Sequence, residues 1–184
     1  MMFILSILFF VTAILYSSVG FGGGSTYLAL LLIWDIPYYI FPVLALVCNV
    51  IVVSGNSINY IRTGNLNSKL LLTYLIGSIP FAFIGGSIVI EKNFFEIVLF
   101  IVLSLAGFFL LISNRNYSEK MIKINNINPL FSIMIGSVIG FTSGIVGIGG
   151  GIFLSPILFL LKAAYPKQIV TTASLFILLN SISV

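Results

Sequence analysis

The sequence predicts an all-α polytopic membrane protein that contains an inverted-topology repeat and two short helices broken by glycine. Three observations support this prediction. Of the 184 residues, 60% are apolar and only 7% are charged, and the mean hydropathy is +1.24. A soluble domain carries about 25% charged residues, so most of this surface must face lipid. Apolar stretches also recur along the whole chain, and a glycine cluster occurs twice.

Eight apolar segments divide the chain, and the first lacks the basic start and the cleavage site of a signal peptide. Five are long enough, or nearly so, to cross about 30 Å of hydrocarbon as helices. Two others hold only about ten apolar residues after a glycine cluster, and we expect half-helices that are buried in protein or line a wet cavity. The segments are residues 3–19, 25–34, 36–53, 70–90, 94–112, 129–146, 152–161 and 168–184.

The chain contains an internal repeat. The pattern Gly-(Phe/Ile)-Gly-Gly-Gly occurs at residues 20–24 and again at 147–151. Each cluster is followed by a short apolar run, a polar break with a proline and another apolar segment. We therefore predict one membrane domain, 1–184, with a first repeat at 1–113 and a second at 129–184. The second repeat lacks counterparts of the last two segments of the first, so we expect a truncated chain.

Loop charges predict the orientation, because cytoplasmic loops carry an excess of Lys and Arg. The connections after the third, fifth and seventh segments are basic, whereas those after the second and fourth carry Asp35, Glu91 and Glu96. The N-terminus is then outside a cell (inner) membrane, and the two short segments enter from opposite sides. Such inverted repeats are typical of transporters that bind substrate near the midplane. The basic residues of the third, fifth and seventh connections are Arg62, Lys69, Arg115, Lys120, Lys123, Lys162 and Lys167, and the eighth, Lys92, lies beside Glu91 in the fourth.

The glycine clusters are suited to binding an anion. A helix N-terminus has unpaired N–H groups and about half a positive charge, and glycine lets a ligand approach this backbone. Close packing of membrane helices would also explain the glycines, and the hydroxyls could bond to their own helix carbonyls. The candidate substrate-binding residues are Gly22, Gly23, Gly24, Ser25, Thr26, Gly149, Gly150, Gly151, Thr171, Thr172 and Ser174. Further candidates to line the cavity are Ser17, Ser18, Thr142 and Ser143.

Asn49 and Asn180 lie within apolar segments, where each buried amide needs a partner. Interhelical hydrogen bonding explains them as well as contact with substrate does. Gly77, Gly85 and Gly86 are predicted to be close-packing positions. The candidates for an aromatic belt at the membrane interface are Tyr16, Trp34, Tyr38 and Tyr39.

Several classes of function are excluded. The chain has no histidine and a single cysteine, Cys48, so it has neither an internal disulfide nor a Cys/His metal site. It contains no Ser–His–Asp set and no GxxxxGK[ST] loop, so we expect no enzyme activity and no cofactor. The basic residues form no stripe for nucleic acid. Lipid-facing and subunit-facing apolar surfaces look alike in sequence, so the oligomeric state stays open.

Residues 20–24 and 144–151, the latter followed by Ser155-Pro156, resemble the two motifs of the TauE/SafE sulfite exporter family. Residues 59–64 and 171–175 are also similar to that family. The resemblance covers nearly the whole chain. It implies a multi-spanning permease in the plasma membrane whose substrates are sulfite, sulfoacetate and other sulfur-containing or organic anions.

Leu28-Ala29 departs from the family pattern, because a proline follows the second cluster at the corresponding place. An alternative from another class is a membrane scaffold or assembly subunit whose glycines serve only helix packing. A wet cavity between the two short segments would favour transport. A dry, close-packed interface would favour the scaffold.

Overall fold

The computed structural model of the chain describes residues 2–34, 36–88, 90–113, 124–125 and 127–184. Within these residues the chain forms α-helices joined by short links, with one 3₁₀ turn at Tyr38–Ile40. This architecture confirms the predicted all-helical polytopic fold. The helices are α1 (Met2–Val19), α2 (Gly24–Ile33), α3 (Phe41–Arg62), α4 (Ser68–Gly86), α5 (Lys92–Ser113), α6 (Pro129–Val146), α7 (Gly151–Leu160) and α8 (Pro166–Ser183).

Three of the described helical stretches are long and apolar enough to cross a membrane: Tyr38–Arg62, Ser68–Gly86 and Pro129–Val146. Large apolar side chains cover the outward faces of several helices. Phe3, Ile51, Phe100 and Val138 are each at least 66% exposed. An aqueous surface would not carry so many exposed apolar groups on helices of this length, so lipid is the solvent of these faces.

The helix α3 extends beyond the predicted end at residue 53 and stops at Arg62. The additional turns are polar, yet their side chains find partners on neighbouring helices. Asn56 Nδ2 donates to the backbone oxygen of Ser17 at 2.9 Å, and the hydroxyls of Ser57 and Ser174 lie 3.2 Å apart. These tertiary hydrogen bonds satisfy polar groups that would otherwise be costly to bury.

Helices α4 and α6 run parallel and in close contact through glycines. The α6 glycines recur every fourth residue, so they share one helix face. A Cβ on any of them would overlap an α4 carbonyl oxygen, which shows that no side chain fits there. The pairs are Gly136 with Tyr74, Gly140 with Ser78, and Gly144 with Ala82.

The predicted close-packing positions on α4 are also confirmed. A Cβ on Gly77 or Gly85 would overlap the α6 carbonyl oxygens of Ile133 or Phe141, and one on Gly86 would meet the side chain of Val184. Small residues that bring two backbones together are the usual basis of helix association in lipid. The α4–α6 pair is therefore the tightest interhelical contact of the fold.

The centre of the molecule is formed by α3 and α8, against which the two short helices pack. The short helices are the most deeply buried part: Leu28, Leu31, Leu154 and Leu158 are at most 1% exposed. This burial agrees with the expectation that half-helices survive at membrane depth only inside protein. Helices α2 and α7 each have ten residues and each start at the last glycine of a glycine cluster.

The connections meet at two ends of the molecule. The α3–α4 link, Asn125 and the α7–α8 link share one end, where Asn125 N donates to the carbonyl oxygen of Lys162 at 3.1 Å. At the other end Tyr38, Ile88 and Val184 line one cleft. This grouping matches the predicted sidedness of the loops. Asp35 and the charges within 114–123 lie outside the described residues, and the repeat boundaries and the orientation stay predictions.

Candidate functional site

Each short helix begins at a left-handed glycine that carries no side-chain cap. Gly23 has φ 83° and ψ 11°, and Gly150 has φ 77° and ψ −17°. Such positive φ values favour glycine over any residue with a Cβ. The first amides of a helix have no partner within that helix, and here no capping side chain takes them. The third and fourth amides of each helix bond to the carbonyl oxygen of Gly23 or Gly150, so the first two amides and the partial positive charge of each N-terminus are available to a ligand.

Asn49, from the middle of α3, lies between the two glycine clusters. Its Nδ2 donates to the carbonyl oxygen of Ile148 at 3.0 Å. A Cβ on Gly24 would lie 2.7 Å from Asn49 Nδ2 and 3.0 Å from that same carbonyl oxygen. A Cβ on Gly149 would lie 3.1 Å from Asn49 Nδ2. The two clusters, far apart in sequence, therefore meet at one amide side chain.

The orientation of the Asn49 amide follows from its partner. The Ile148 carbonyl accepts hydrogen bonds only, so the nitrogen of the amide must face it. The oxygen, Oδ1, then faces Gly22, where a Cβ would overlap it. Asn49 is 0% exposed and Oδ1 has no hydrogen-bond partner. An unpaired buried acceptor costs about 1–3 kcal/mol, so this atom requires an explanation.

Two hydroxyls beside the second cluster are also buried and without a partner. Ser181 Oγ lies 2.8 Å from the position of a Cβ on Gly149, and Ser143 Oγ lies 3.3 Å from that on Gly150. Both hydroxyls can donate or accept. With Asn49 Oδ1 they make three unsatisfied polar atoms next to the glycines.

The other predicted hydroxyls have different surroundings. Thr26 Oγ1 pairs with the hydroxyl of Tyr16 at 2.8 Å, and Ser25 is buried in the first turn of α2. Thr171 Oγ1 donates to its own helix at Lys167 O, 2.8 Å away. Ser174 is the partner of Ser57 described above. Thr172 is buried with an unpartnered hydroxyl, and no contact given by the structure joins it to either glycine cluster.

Asn180 is a fully paired structural amide. Its Oδ1 accepts from Ser78 Oγ at 2.6 Å, and its Nδ2 donates to the carbonyl oxygen of Phe176 at 2.9 Å. The bond from Ser78 ties α8 to α4, and the bond to Phe176 lies within α8. Among the further cavity candidates, Ser18 and Thr142 donate back to their own helices. Ser143 Oγ faces the second cluster, and the backbone oxygen of Ser17 accepts from Gly20 N at 3.2 Å.

Sequence reasoning missed the Ile148 carbonyl and Ser181. A backbone carbonyl has no sequence signal of its own. Ser181 could have been found from helix periodicity, since it lies four residues after Ile177, which packs against Gly149 and Gly151. Tyr16, predicted as an interfacial anchor, is half-buried and packs against the first glycine cluster. Its ring lies 3.2 Å from the Cβ position of Gly23.

Two clefts flank the cluster at opposite ends of α3 and α8. One, of about 500 Å³, reaches Gly144 and Ser181. The other, of about 660 Å³, is lined by Tyr60, Lys167 and Val170. Neither cleft is lined by Asn49 or by the glycines around it. The first cleft thus reaches the polar cluster at Ser181, whereas Asn49 and the glycines around it line neither opening.

The helical architecture and the lipid-facing surfaces define the class as a polytopic membrane protein. The chain belongs to the TauE/SafE sulfite exporter family, since the sequence model of that family, "Sulfite exporter TauE/SafE", matches residues 5–184. The resemblance carried by the glycine motifs is therefore confirmed.

Two relatives are similar over most of the chain. A "probable membrane transporter protein" of Sinorhizobium fredii is 29% identical over 178 residues, which cover 96% of this chain and 72% of that protein. A second protein of the same description, from Methanocaldococcus jannaschii, is 34% identical over 177 residues. That match covers 90% of this chain and 63% of the relative. No solved structure matches the chain.

Proposed function

We propose that the chain binds a small anion between the N-termini of α2 and α7 and belongs to a permease that moves it across the cell (inner) membrane. Sulfite, sulfoacetate or a related sulfur-containing or organic anion is the proposed substrate. One observation carries the proposal: Asn49 contacts both glycine clusters, and the polar atoms around it lack partners. The binding residues are Asn49, Ser143, Ser181, Gly22, Gly23, Gly24, Ser25, Thr26, Gly149, Gly150 and Gly151.

The charge of this site comes from the backbone. Each helix N-terminus contributes about half a positive charge, and two that converge contribute about one. Burial strengthens the interaction with an anion, because the effective dielectric constant is low. Two convergent N-termini therefore suit a single negative charge without any lysine or arginine. The names of the relatives, both probable membrane transporters, support transport.

The two clefts supply the proposed route. The cleft with Lys167 lies at the end that carries Arg62, Lys69 and Lys162, which we assign to the cytoplasm. The cleft with Ser181 then opens outside, on the same side as the N-terminus. Access would alternate between them, as in transporters built from inverted repeats. On the cytoplasmic side Gly20 packs against Tyr60, since a Cβ added to Gly20 would lie 2.6 Å from Tyr60 Oη. In the proposed route this contact closes the cytoplasmic access to the site.

The scaffold alternative predicts a dry interface, and the clusters are close-packed in this state. By that criterion the close packing favours the scaffold, whereas the unpaired polar atoms beside the clusters favour a binding site. Unpaired polar atoms distinguish the two. A permanent helix interface would satisfy or avoid buried polar groups, whereas a binding site leaves them for its ligand.

Efflux of labelled sulfite from liposomes that contain the protein tests the proposal. Gly22→Ala places a methyl group against Asn49 Oδ1, and we expect at least a tenfold loss of flux. Gly55→Ala is the matched control, because no atom lies within 4 Å of the Cβ position on this α3 glycine. It should keep wild-type flux. Equal flux in both variants would remove the glycine site, and no sulfite flux in the wild type would contradict the substrate.

A further inference from the structure

We propose, on the basis of the function proposed above, that the site selects oxyanions that carry their own O–H donor, which they give to Asn49 Oδ1. Bisulfite and hydroxyalkyl sulfonates belong to this class. Fully deprotonated oxyanions, including the sulfoacetate dianion among the proposed substrates, and plain alkyl sulfonates lack this donor and should bind less well.

The nitrogen and the oxygen of the Asn49 amide have different neighbours. Its nitrogen donates to Ile148 O, and Asn49 Nδ2 and Ser181 Oγ lie 3.1 Å and 2.8 Å from the same Cβ position on Gly149. Its oxygen side faces Gly22. The available hydroxyl donor is therefore beside the amide nitrogen, while the unpaired acceptor points the other way.

A ligand in this site meets both donors and the acceptor Asn49 Oδ1. A deprotonated oxyanion presents acceptors only, so its oxygens can be bound by helix amides and serine hydroxyls but not by Asn49 Oδ1. Two acceptors held against each other in a buried site are unfavourable. An O–H group on the ligand removes this conflict, because it donates to Oδ1 while the charged oxygens take the amides.

The amide of Asn49 cannot rotate to direct Oδ1 away from the ligand. Rotation of the amide by 180° would direct Oδ1 at the Ile148 carbonyl and replace a 3.0 Å hydrogen bond by a contact between two acceptors. The Ile148 carbonyl thus fixes the specificity of Asn49 by fixing its orientation. Sites that hydrogen-bond a substrate hydroxyl discriminate strongly against analogues that lack it.

A pair of isosteric monoanions tests this inference at constant pH. 2-Hydroxyethanesulfonate and propane-1-sulfonate differ only by a hydroxyl in place of a methyl group. We expect the hydroxylated anion to inhibit labelled sulfite flux in the wild-type protein at about a tenfold lower concentration. In Asn49→Leu the ratio of the two inhibitory concentrations should fall to about one.

Asn56→Leu is the matched control, since this α3 amide bonds to Ser17 O and not to Ile148 O, the partner of Asn49. The ratio should stay at about ten in this variant. Equal inhibition by both anions in the wild type would overturn the inference while sulfite flux still supported the proposed function. Absence of sulfite flux would overturn both. The wild-type ratio decides the inference even where Asn49→Leu fails to fold.

Discussion

Replacement of Gly140 by leucine is expected to unfold the α4–α6 pair. A Cβ at this position would already overlap the carbonyl oxygen of Ser78 and lie 2.7 Å from its Cα. Backbone cannot move aside as a flexible side chain can, so the two helices must separate. Overpacking in a tight core costs about 1–3 kcal/mol and sometimes more, and we expect about 3 kcal/mol or more here. Thermal unfolding in detergent, followed by gel filtration, measures the loss.

Gly107→Leu provides the control for this prediction. Gly107 lies within α5, and no atom is found within 4 Å of its Cβ position. Leucine is also a better helix former than glycine, by about 0.5–1 kcal/mol. The Gly107 variant should therefore unfold at or slightly above the wild-type temperature. Equal unfolding temperatures for the two leucine variants would contradict the parallel contact of α4 and α6.

Gly150→Ala is expected to have the second large effect, because it adds two penalties. The left-handed backbone of Gly150 costs a residue with a Cβ about 1–2 kcal/mol. The methyl group would also lie 2.9 Å from Phe176 Cε1 and 3.0 Å from Ile139 Cγ2. We expect the start of α7 to shift and both stability and sulfite flux to fall.

Gly64→Ala separates these two penalties. Gly64 has φ +73°, close to the +77° of Gly150, but nothing lies within 4 Å of its Cβ position. It should show the backbone strain alone, with a small drop in unfolding temperature and normal flux. If the two alanine variants behaved alike, the second cluster would matter only for its backbone conformation.

Much of the fold follows from local signals in the sequence. The glycine clusters predicted where α2 and α7 begin, since a left-handed glycine can precede a helix that no side chain caps. Proline at the first position of α6 and α8 marks their starts in the same way. The end of α3 was predicted nine residues too early. Its polar last turns are stabilised by Ser17 and Ser174, and such partners from distant segments are invisible to a hydropathy pattern.

The candidate site was less accessible to sequence reasoning. The glycines and Asn49 stood out because small and amide residues are distinctive in apolar segments. Their meeting depends on how α3 packs against the link between α6 and α7, which sets Asn49 beside Ile148. The crossing of α3 and α8 pairs Ser174 with Ser57. The Ser174 hydroxyl, which the sequence suggested as a contact of the ligand, therefore already has a partner. Pairing of this kind is a tertiary property, and periodicity alone does not report it.

A structure determined with selenite tests the central claim most directly, because selenium replaces sulfur and gives an anomalous signal. The account predicts a selenium peak between residues 22–24 and 149–151, with selenite oxygens within about 3 Å of Asn49 and the first amides of α2 and α7. A peak confined to the cleft beside Lys167, or no peak between the glycine clusters at saturating selenite, would contradict it.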